Sequence, residues 1–398
     1  MTRIPYRLPL VAAACLASAP GCGDTVGDPS LAARRDSAGV EVVEARRPLW
    51  GDARGWTVDP EPLVDLALSG SGEKHLFHAV RGMVGISDGS VAVADGGSEE
   101  IRLYSAAGEF RGSAGGRGDG PGEFDLIVGL TRGRGDTLIA LDHSDRLAVF
   151  AADLTFARYL PLPPFALAAH ALDDGTLVVE TEMMSLEILE AGGLVRVPTV
   201  LWRLDPNDAG ADSIGRTAGE EQHVVVSGPR AGQTGTLFGR RSHIATHGGR
   251  IYLGHAGSME VEERTAAGEL VRILRIPGFP LALSPESIDE ERSAMLGDDP
   301  PAWWERTVAD IPAPSTRPAY DGLLPDPSGA VWLRPFRGRS EQQVPETWQV
   351  LAGDGTWLGG VQFPLDFRVM EIGMDVVLGV RRDELDVEHP QVLRLDRD

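Results

Sequence analysis

Six residues at corresponding positions of a repeated pattern carry side chains suited to ligand binding. Each ends the strand predicted to follow a glycine turn, and the set is Asp95, Asp142, Glu180, His255, Arg334 and Arg381. Carboxylates and imidazoles bind metal ions, and guanidinium groups bind carboxylates and phosphates. On a shared rim, three acids, one histidine and two arginines would form a polarised ring suited to a zwitterionic or metal-bridged ligand.

A structural role is the alternative for the aspartates of this set. An Asp at the end of a strand often accepts hydrogen bonds from the backbone of the next turn. The glycine-rich segment 115–122 is a different candidate, because successive glycines can bring backbone N–H groups close to a phosphate. It lacks the Gly-Lys-Ser/Thr ending, and Pro121 opposes a following helix, so we predict a connection between two sheets.

Short apolar strands separated by glycine turns are the elements that would position these residues. Residues 83–124 show the pattern, with alternating runs on either side of the Asp88-Gly89 turn. The same order recurs at turns marked by Gly89, Gly135, Gly175, Gly249, Gly329 and Gly373, which are 46, 40, 74, 80 and 44 residues apart. A four-stranded propeller blade takes roughly 40 to 50 residues, so the spacing predicts six blades and two insertions.

The two ends of the chain predict how the ring of sheets closes. The sixth unit reaches the C-terminus with three recognisable strands, whereas segment 56–66 belongs to no unit of its own. Because a closed sheet must hide its last edge, we predict that this N-terminal strand completes the last blade. The predicted fold is therefore all-β: a six-bladed β-propeller of four-stranded blades.

The two insertions differ in character. Segment 205–243 is rich in glycine and predicts a long loop with one strand at 223–226. Segment 280–320 predicts a short helical insertion between blades 4 and 5, with Ser284 as N-cap, Pro285 in the first turn and Gly297 at the end. If both insertions emerge on one face, they would cover one end of the central channel.

These motifs resemble a known family. The Asp-Gly strand units, the loop 116–124 and the final segment 377–384 are similar to bacterial six-bladed propeller proteins related to NHL repeats and TolB-like propellers, many of which are lipoproteins. The resemblance covers about residues 38–398 and implies the fold. Because one fold hosts many functions, it does not imply an activity.

Charge and length limit the classes of function. The chain has 37 basic and 59 acidic side chains, a formal charge of −22, and this balance argues against binding to nucleic acid. The 398 residues would suffice for two or three domains, but the repeat predicts that residues 38–398 form one.

The N-terminus predicts export. Arg3 and Arg7 precede an apolar run at 8–16 and a small-residue stretch before Cys22, as in a signal peptide. The site resembles that of bacterial lipoproteins, with Ala19 where leucine is usual, and Cys15 is a weaker candidate. We predict a signal peptide at 1–22, lipidation of Cys22 and a flexible tether at 23–37.

Two functions are favoured at this stage, and a purely structural role also stays open. The first is a monomeric, non-catalytic envelope lipoprotein, anchored only by its lipid and facing the periplasm or cell surface, that binds a protein, peptide or glycan. It would need no cofactor. The alternative is a metal-dependent hydrolase or lyase with its site in the channel. The resemblance to metal-binding propellers would then make Asp95, Asp142 and Glu180 partial matches to the ligands of a divalent metal such as calcium.

Overall fold

The computed structural model describes residues 30–53, 55–206, 210–227, 230–341 and 344–398. Within these ranges the chain forms 27 strands and three α-helices, so it is an all-β protein with few helices. None of these helices is long and apolar enough to cross a membrane. The predicted signal peptide, Cys22 and residues 23–29 of the predicted tether lie outside the described residues.

Three strands precede the repeats: β1 (Ala32–Ser37), β2 (Val40–Ala45) and β3 (Thr57–Asp65). Sheet 1 contains β4 (Val80–Gly85), β5 (Val91–Asp95), β6 (Glu100–Tyr104) and β7 (Phe110–Gly115). Sheet 2 contains β8 (Ile127–Arg132), β9 (Leu138–Asp142), β10 (Arg146–Phe150) and β11 (Phe156–Pro161). Sheet 3 contains β12 (Ala166–Ala171), β13 (Leu177–Glu182), β14 (Gly193–Leu204), β15 (Ala211–Ser227) and β16 (Arg230–Thr234), with helix α1 (Leu186–Ala191) before β14.

Three further sheets follow in the same way. Sheet 4 contains β17 (His243–His247), β18 (Arg250–Gly254), β19 (Glu260–Thr265) and β20 (Leu270–Arg275). Helices α2 (Pro285–Leu296) and α3 (Ala302–Asp310) come next. Sheet 5 contains β21 (Tyr320–Pro325), β22 (Val331–Pro335), β23 (Thr347–Leu351) and β24 (Trp357–Gln362). Sheet 6 contains β25 (Phe367–Ile372), β26 (Val376–Arg382) and β27 (Glu388–Asp396).

The first strands of the six sheets surround a common channel. Each contacts the first strand of the next sheet, in the order β4, β8, β12, β17, β21, β25 and back to β4. Residues of all these strands line a channel of about 410 Å³. Apolar clusters fill the spaces between neighbouring sheets, and one of them joins Leu378 and Val380 of sheet 6 to Met83 and Val93 of sheet 1. This arrangement is consistent with a propeller.

The marker glycines lie where the repeat requires them. All six occupy the turn between the first and second strand of a sheet. Gly89 and Gly175, for example, have φ angles of 84° and 90°, which residues with a Cβ rarely adopt. The glycine spacing in the sequence therefore follows the spacing of the sheets.

The N-terminal strands join two different sheets. Strand β3 pairs antiparallel with β27 and is the fourth strand of sheet 6. Strands β1 and β2 form a hairpin on sheet 4, where β2 runs parallel to β20. The prediction of a tether over 23–37 is therefore wrong for residues 32–37. Their charged side chains hide the strand pattern, and the hairpin turn places Ala38 as well as Gly39 at positive φ.

Carboxylates at the ends of strands tie one sheet to the next. Glu99 of sheet 1 accepts a hydrogen bond from the backbone N–H of Ile127, the first residue of sheet 2, at 2.7 Å. Asp145 of sheet 2 bonds the N–H of Ala166 in sheet 3 at 3.1 Å. Glu388 of sheet 6 bonds the N–H of Val80 in sheet 1 at 2.7 Å. The same kind of contact thus links the last sheet to the first.

The first insertion differs from the prediction of a long loop with one short strand. Strand β15 is 17 residues long and pairs along the 12 residues of β14, after which β16 turns back against it. The run Glu220-Glu221-Gln222 breaks the apolar alternation by which strands are recognised. Backbone pairing with β14 stabilises the strand in spite of this sequence.

The second insertion forms the predicted helices. The side chain of Ser284 caps α2 by accepting from the N–H of Ser287, Pro285 lies in the first turn, and Gly297 follows the last residue. The two insertions contact each other, because Leu237 and Phe238 from the first pack with Ile311 from the second. This small apolar cluster also contacts Phe336 of the segment after β22, and so lies against sheet 5.

Candidate functional site

The two aspartates of the predicted rim are buried in the fold. Asp95 accepts from the N–H groups of His78 and Ser98 and forms an ion pair with Arg102 at 3.0 Å. Asp142 accepts backbone N–H bonds from residues 125, 126 and 144 and pairs with Arg146 at 2.9 Å. These bonds lower the pKa of Asp142 in spite of its burial. Each carboxylate therefore holds the turn after its strand and the segment that leads into the first strand of the same sheet.

Glu180 lies near the beginning of β12, the first strand of sheet 3, and His255 lies near the beginning of β17, the first strand of sheet 4. Glu180 contacts Nε2 of His170 at 2.7 Å, and the His170 ring lines the channel. His255 shares a hydrogen bond between Nδ1 and the Ser242 hydroxyl at 3.3 Å. Burial lowers the pKa of His255, so its imidazole is neutral at pH 7. Neither side chain meets the aspartates of sheets 1 and 2 in one cluster.

The two arginines of the predicted rim have different surroundings. The guanidinium of Arg334 donates from Nε to Asp321 at 2.5 Å and lines a cavity beside sheet 5. Arg381 is exposed at the end of β26. The six predicted residues therefore do not surround a single site, but Glu180 and Arg334 mark two cavities at the same end of the channel.

We call these two spaces the inner and the outer cavity. The inner cavity, about 180 Å³, lies at the start of β12 and β17 and is lined by Glu180, Glu182, Glu220, Arg241 and His243. The outer cavity, about 530 Å³, lies between β15, α2 and sheet 5 and is lined by Gln222, Glu291, Asp321, Arg334, Arg337 and Arg339. Glu220 and Arg241 line both, so the cavities are contiguous.

Most charged groups of the outer cavity are paired. Arg337 contacts Glu346 at 3.1 Å, and Arg339 pairs with the buried Glu291. Burial raises the pKa of Asp321, an effect that the adjacent Arg334 opposes. These pairs make the wall of the outer cavity rigid and locally close to neutral, and they place several guanidinium groups on one side.

A few polar side chains at the junction of the inner and outer cavities lack an ion-pair partner or a complete set of hydrogen bonds among the described residues. Glu220 and Arg241 make no ion pair among the described residues, and Glu182 has only a 3.5 Å contact from the amide of Gln222. Burial and the Glu220 carboxylate raise the pKa of Glu182. The carbonyl oxygen of the Gln222 side chain is buried without a hydrogen-bond partner.

His243 is a mostly buried titratable group of the inner cavity. Its ring lies against Tyr320, with centroids 5.5 Å apart, and Nε2 has no hydrogen-bond partner in the described part of the chain. Burial lowers the pKa of His243 to about 3, and the charges of Arg241 and Arg334 act in the same direction. The imidazole is therefore neutral at physiological pH.

The His243→Gln variant tests this assignment through the pH dependence of stability. Between pH 6.5 and about 3 the unfolded state binds a proton at His243 and the folded state does not, so this group's contribution is present above pH 6.5 and is lost as pH falls. From pH 6.5 to 5 the wild type should lose about 2 kcal/mol relative to the variant. Urea unfolding at both pH values measures the difference. His143→Gln, at an exposed histidine, is the control. If wild type and His243→Gln lose the same unfolding free energy between the two pH values, burial does not hold His243 in its neutral form.

The described residues do not bring together a set of side chains that could bind a metal ion. No group of three or more His, Cys, Asp and Glu side chains within those ranges could hold a metal ion. Of the three proposed calcium ligands, Asp95 and Asp142 already have arginine partners and Glu180 has His170. The three carboxylates belong to three different sheets and do not converge.

Sequence reasoning missed several residues at these cavities. Glu182, Glu220, Arg241 and His243 come from segments that are distant in sequence and meet only through the pairing of β13, β14 and β15 and the packing of β17. A local signal was present in the three arginines at 334, 337 and 339, which are close together in the sequence and all line the outer cavity.

Comparison with known proteins supports the fold. No family model matches the chain, and no curated protein matches it. Among solved structures, a protein from Bacteroides fragilis that is inferred to be exported aligns with a TM-score of 0.50 and 12% identity over 86% of this chain and 95% of its own. A member of the DUF4221 family from Bacteroides vulgatus aligns with a TM-score of 0.51 and 9% identity, covering 86% and 99% of the two chains.

These similarities and the arrangement of the sheets define the class of protein. At such low identity a structural match shows the fold alone. The chain is an all-β protein of the β-propeller class, whose candidate site is the pair of cavities at one end of the channel.

Proposed function

We propose that the protein is a cell-envelope lipoprotein that binds a protein, peptide or glycan partner at the outer cavity without chemical conversion. In this proposal the six sheets are six blades, closed by β3, and Cys22 carries the lipid that anchors a monomer to the membrane. The match to a protein inferred to be exported and the N-terminal sequence support this location. The charge of −22 supports a partner other than nucleic acid.

One observation carries the binding role. A cavity of about 530 Å³ lies at the end of the channel, framed by both insertions and by arginines held in fixed positions by buried or half-buried carboxylates. Ligand sites are typically concave spaces of roughly 300–1,000 Å³ with a few polar groups held in place. Guanidinium groups that are already oriented lose little entropy when a partner's carboxylate, carbonyl or hydroxyl group binds to them.

Arg334→Gln and Arg337→Gln test the outer cavity as the binding face. We expect each variant to recover at least tenfold less of the partner enriched by wild type from an envelope extract of the native host, because interface arginines often contribute 2 kcal/mol or more. Quantitative mass spectrometry of the captured material measures the loss. Arg158→Gln, on the exposed outer strand of sheet 2, is the control, and thermal melting confirms that each variant is folded. Unchanged capture by both outer-cavity variants would contradict the proposal.

The same experiment examines the enzymatic alternative. The contact between His170 and Glu180 favours it, because a carboxylate-bound imidazole facing the channel can accept a proton. Partner material that wild type recovers chemically intact supports binding alone. Material that wild type converts and His170→Gln leaves intact would instead support a hydrolase or lyase.

A further inference from the structure

The unmatched groups where the cavities meet have complementary charges. Glu182, which is partly buried, and Glu220, which is exposed, contribute two carboxylates to the inner cavity. Arg241 contributes a guanidinium without an ion-pair partner among the described residues.

His243 adds a second, independent observation. Its Nε2 is buried without a partner, and the ring lines the inner cavity close to two arginines. Because the imidazole is neutral, one of its nitrogens carries a proton and can donate it to an anionic oxygen. Arg241 and His243 therefore offer donors to the inner cavity, and Glu182 and Glu220 offer acceptors.

We propose that the inner cavity binds a free α-amino acid as its zwitterion. The ammonium group would bind Glu182 and Glu220, and the carboxylate would bind Arg241 and the N–H of His243. The proposal rests on the binding role proposed above and specifies a ligand class for the inner part of that site. The ligand's side chain would extend toward the outer cavity, which is contiguous with the inner one.

The size of the inner cavity agrees with such a ligand. A cavity of about 180 Å³ has room for several water molecules or for one small organic molecule. A bare divalent cation would find the charge of Arg241 beside the two carboxylates, which opposes its binding. An ammonium group with an adjacent carboxylate satisfies both signs of charge.

Calorimetric titration of the purified protein tests the proposal. The probes are the common L-amino acids, followed by the N-acetyl derivative and the carboxamide of whichever binds best. We expect at least one amino acid to bind, N-acetylation to weaken it at least tenfold, and amidation to weaken it at least tenfold. Glu220→Gln should reduce the effect of N-acetylation, and Arg241→Gln should reduce the effect of amidation. Glu269→Gln, on the exposed turn between β19 and β20, should bind as wild type does.

Each outcome separates this proposal from the function it rests on. No binding of any amino acid at millimolar concentration would overturn the zwitterion site, and so would equal binding of the free acid and its carboxamide. If arginine-dependent capture at the outer cavity persists in that case, the binding function stands without it. If amino acids bind but capture of the macromolecular partner does not depend on Arg334 or Arg337, the zwitterion site is supported. The proposed binding of a macromolecule at the outer cavity is then contradicted.

Discussion

Replacing Asp326 with alanine is expected to lower the free energy of unfolding by about 3–5 kcal/mol. The carboxylate is fully buried in the turn between β21 and β22. It accepts from the backbone N–H of Ser328 and of Ala330, from the hydroxyl of Ser328, and from Nε1 of the buried Trp332. It also pairs at 2.9 Å with Arg397, which lies at the end of the chain. The substitution leaves all these donors without their acceptor.

Asp354→Ala provides a matched control for Asp326→Ala. Asp354 occupies another turn of sheet 5, but it is exposed and its bonds are to Thr356 and Arg34. Its loss should cost less than about 1 kcal/mol. Urea unfolding followed by tryptophan fluorescence measures both variants. Comparison of Arg397→Ala with exposed Arg394→Ala measures the loss of the whole Arg397 guanidinium, which also donates to the carbonyl oxygen of Gly373 and lies over the ring of Trp56. Equal destabilisation by the two aspartate variants would show that the buried network contributes little.

Glu388→Ala is the second change with a large expected effect. The side chain is 4% exposed, and its carboxylate binds the N–H of Val80 at 2.7 Å and the guanidinium of Arg382 at 3.2 Å. Alanine leaves a buried backbone donor unsatisfied, which should lower the free energy of unfolding by about 1–3 kcal/mol. Glu388→Gln keeps an acceptor of similar shape and should lose less.

The effect of Glu388→Ala should also be local to the junction of sheets 6 and 1. Hydrogen exchange should become faster at the start of β4 and in β27, because this contact ties the last sheet to the first. Glu99→Ala removes the corresponding contact between sheets 1 and 2 and should speed exchange at the start of β8 instead. If both variants accelerate the same amides, the two contacts do not act as separate links between neighbouring sheets.

The fold was largely predictable because its signals are local. Gly89 and Gly175 mark turns that need positive φ, and the strands that follow them begin with short runs of buried apolar residues, at 91–94 and 177–179. The helix at Pro285–Leu296 was predictable for the same reason, since its cap, its proline and its final glycine are adjacent in sequence. The hairpin of β1 and β2 was not, because Ala38 adopts positive φ and the strand residues are charged.

The candidate site was only partly predictable because its contacts are non-local. The sequence assigned the six residues to one repeated position, although only Asp95, Asp142 and Arg381 pair with the first residue of the first strand in their sheets. Thr181 and Pro335 have that place in sheets 3 and 5. The sequence did not show that Asp95 has Arg102 as its partner or that Asp142 has Arg146. The groups with unmet hydrogen-bonding capacity, such as Gln222 and His243, depend on what packs around them, which only the folded chain specifies.

The N-terminal hairpin has a consequence for mechanical load. From β1 and β2 on sheet 4, the chain crosses the outer edge of sheet 5, where Leu49 and Trp50 bond the backbone of β24, before it reaches sheet 6 as β3. A pull on the N-terminus therefore reaches β1 first, and this strand can peel from β2 one hydrogen bond at a time. The hairpin and the crossing segment would extend before any tension reached β3. A force applied at the N-terminus would therefore be absorbed by extension of the hairpin and the crossing segment. The strand that completes sheet 6 would stay paired.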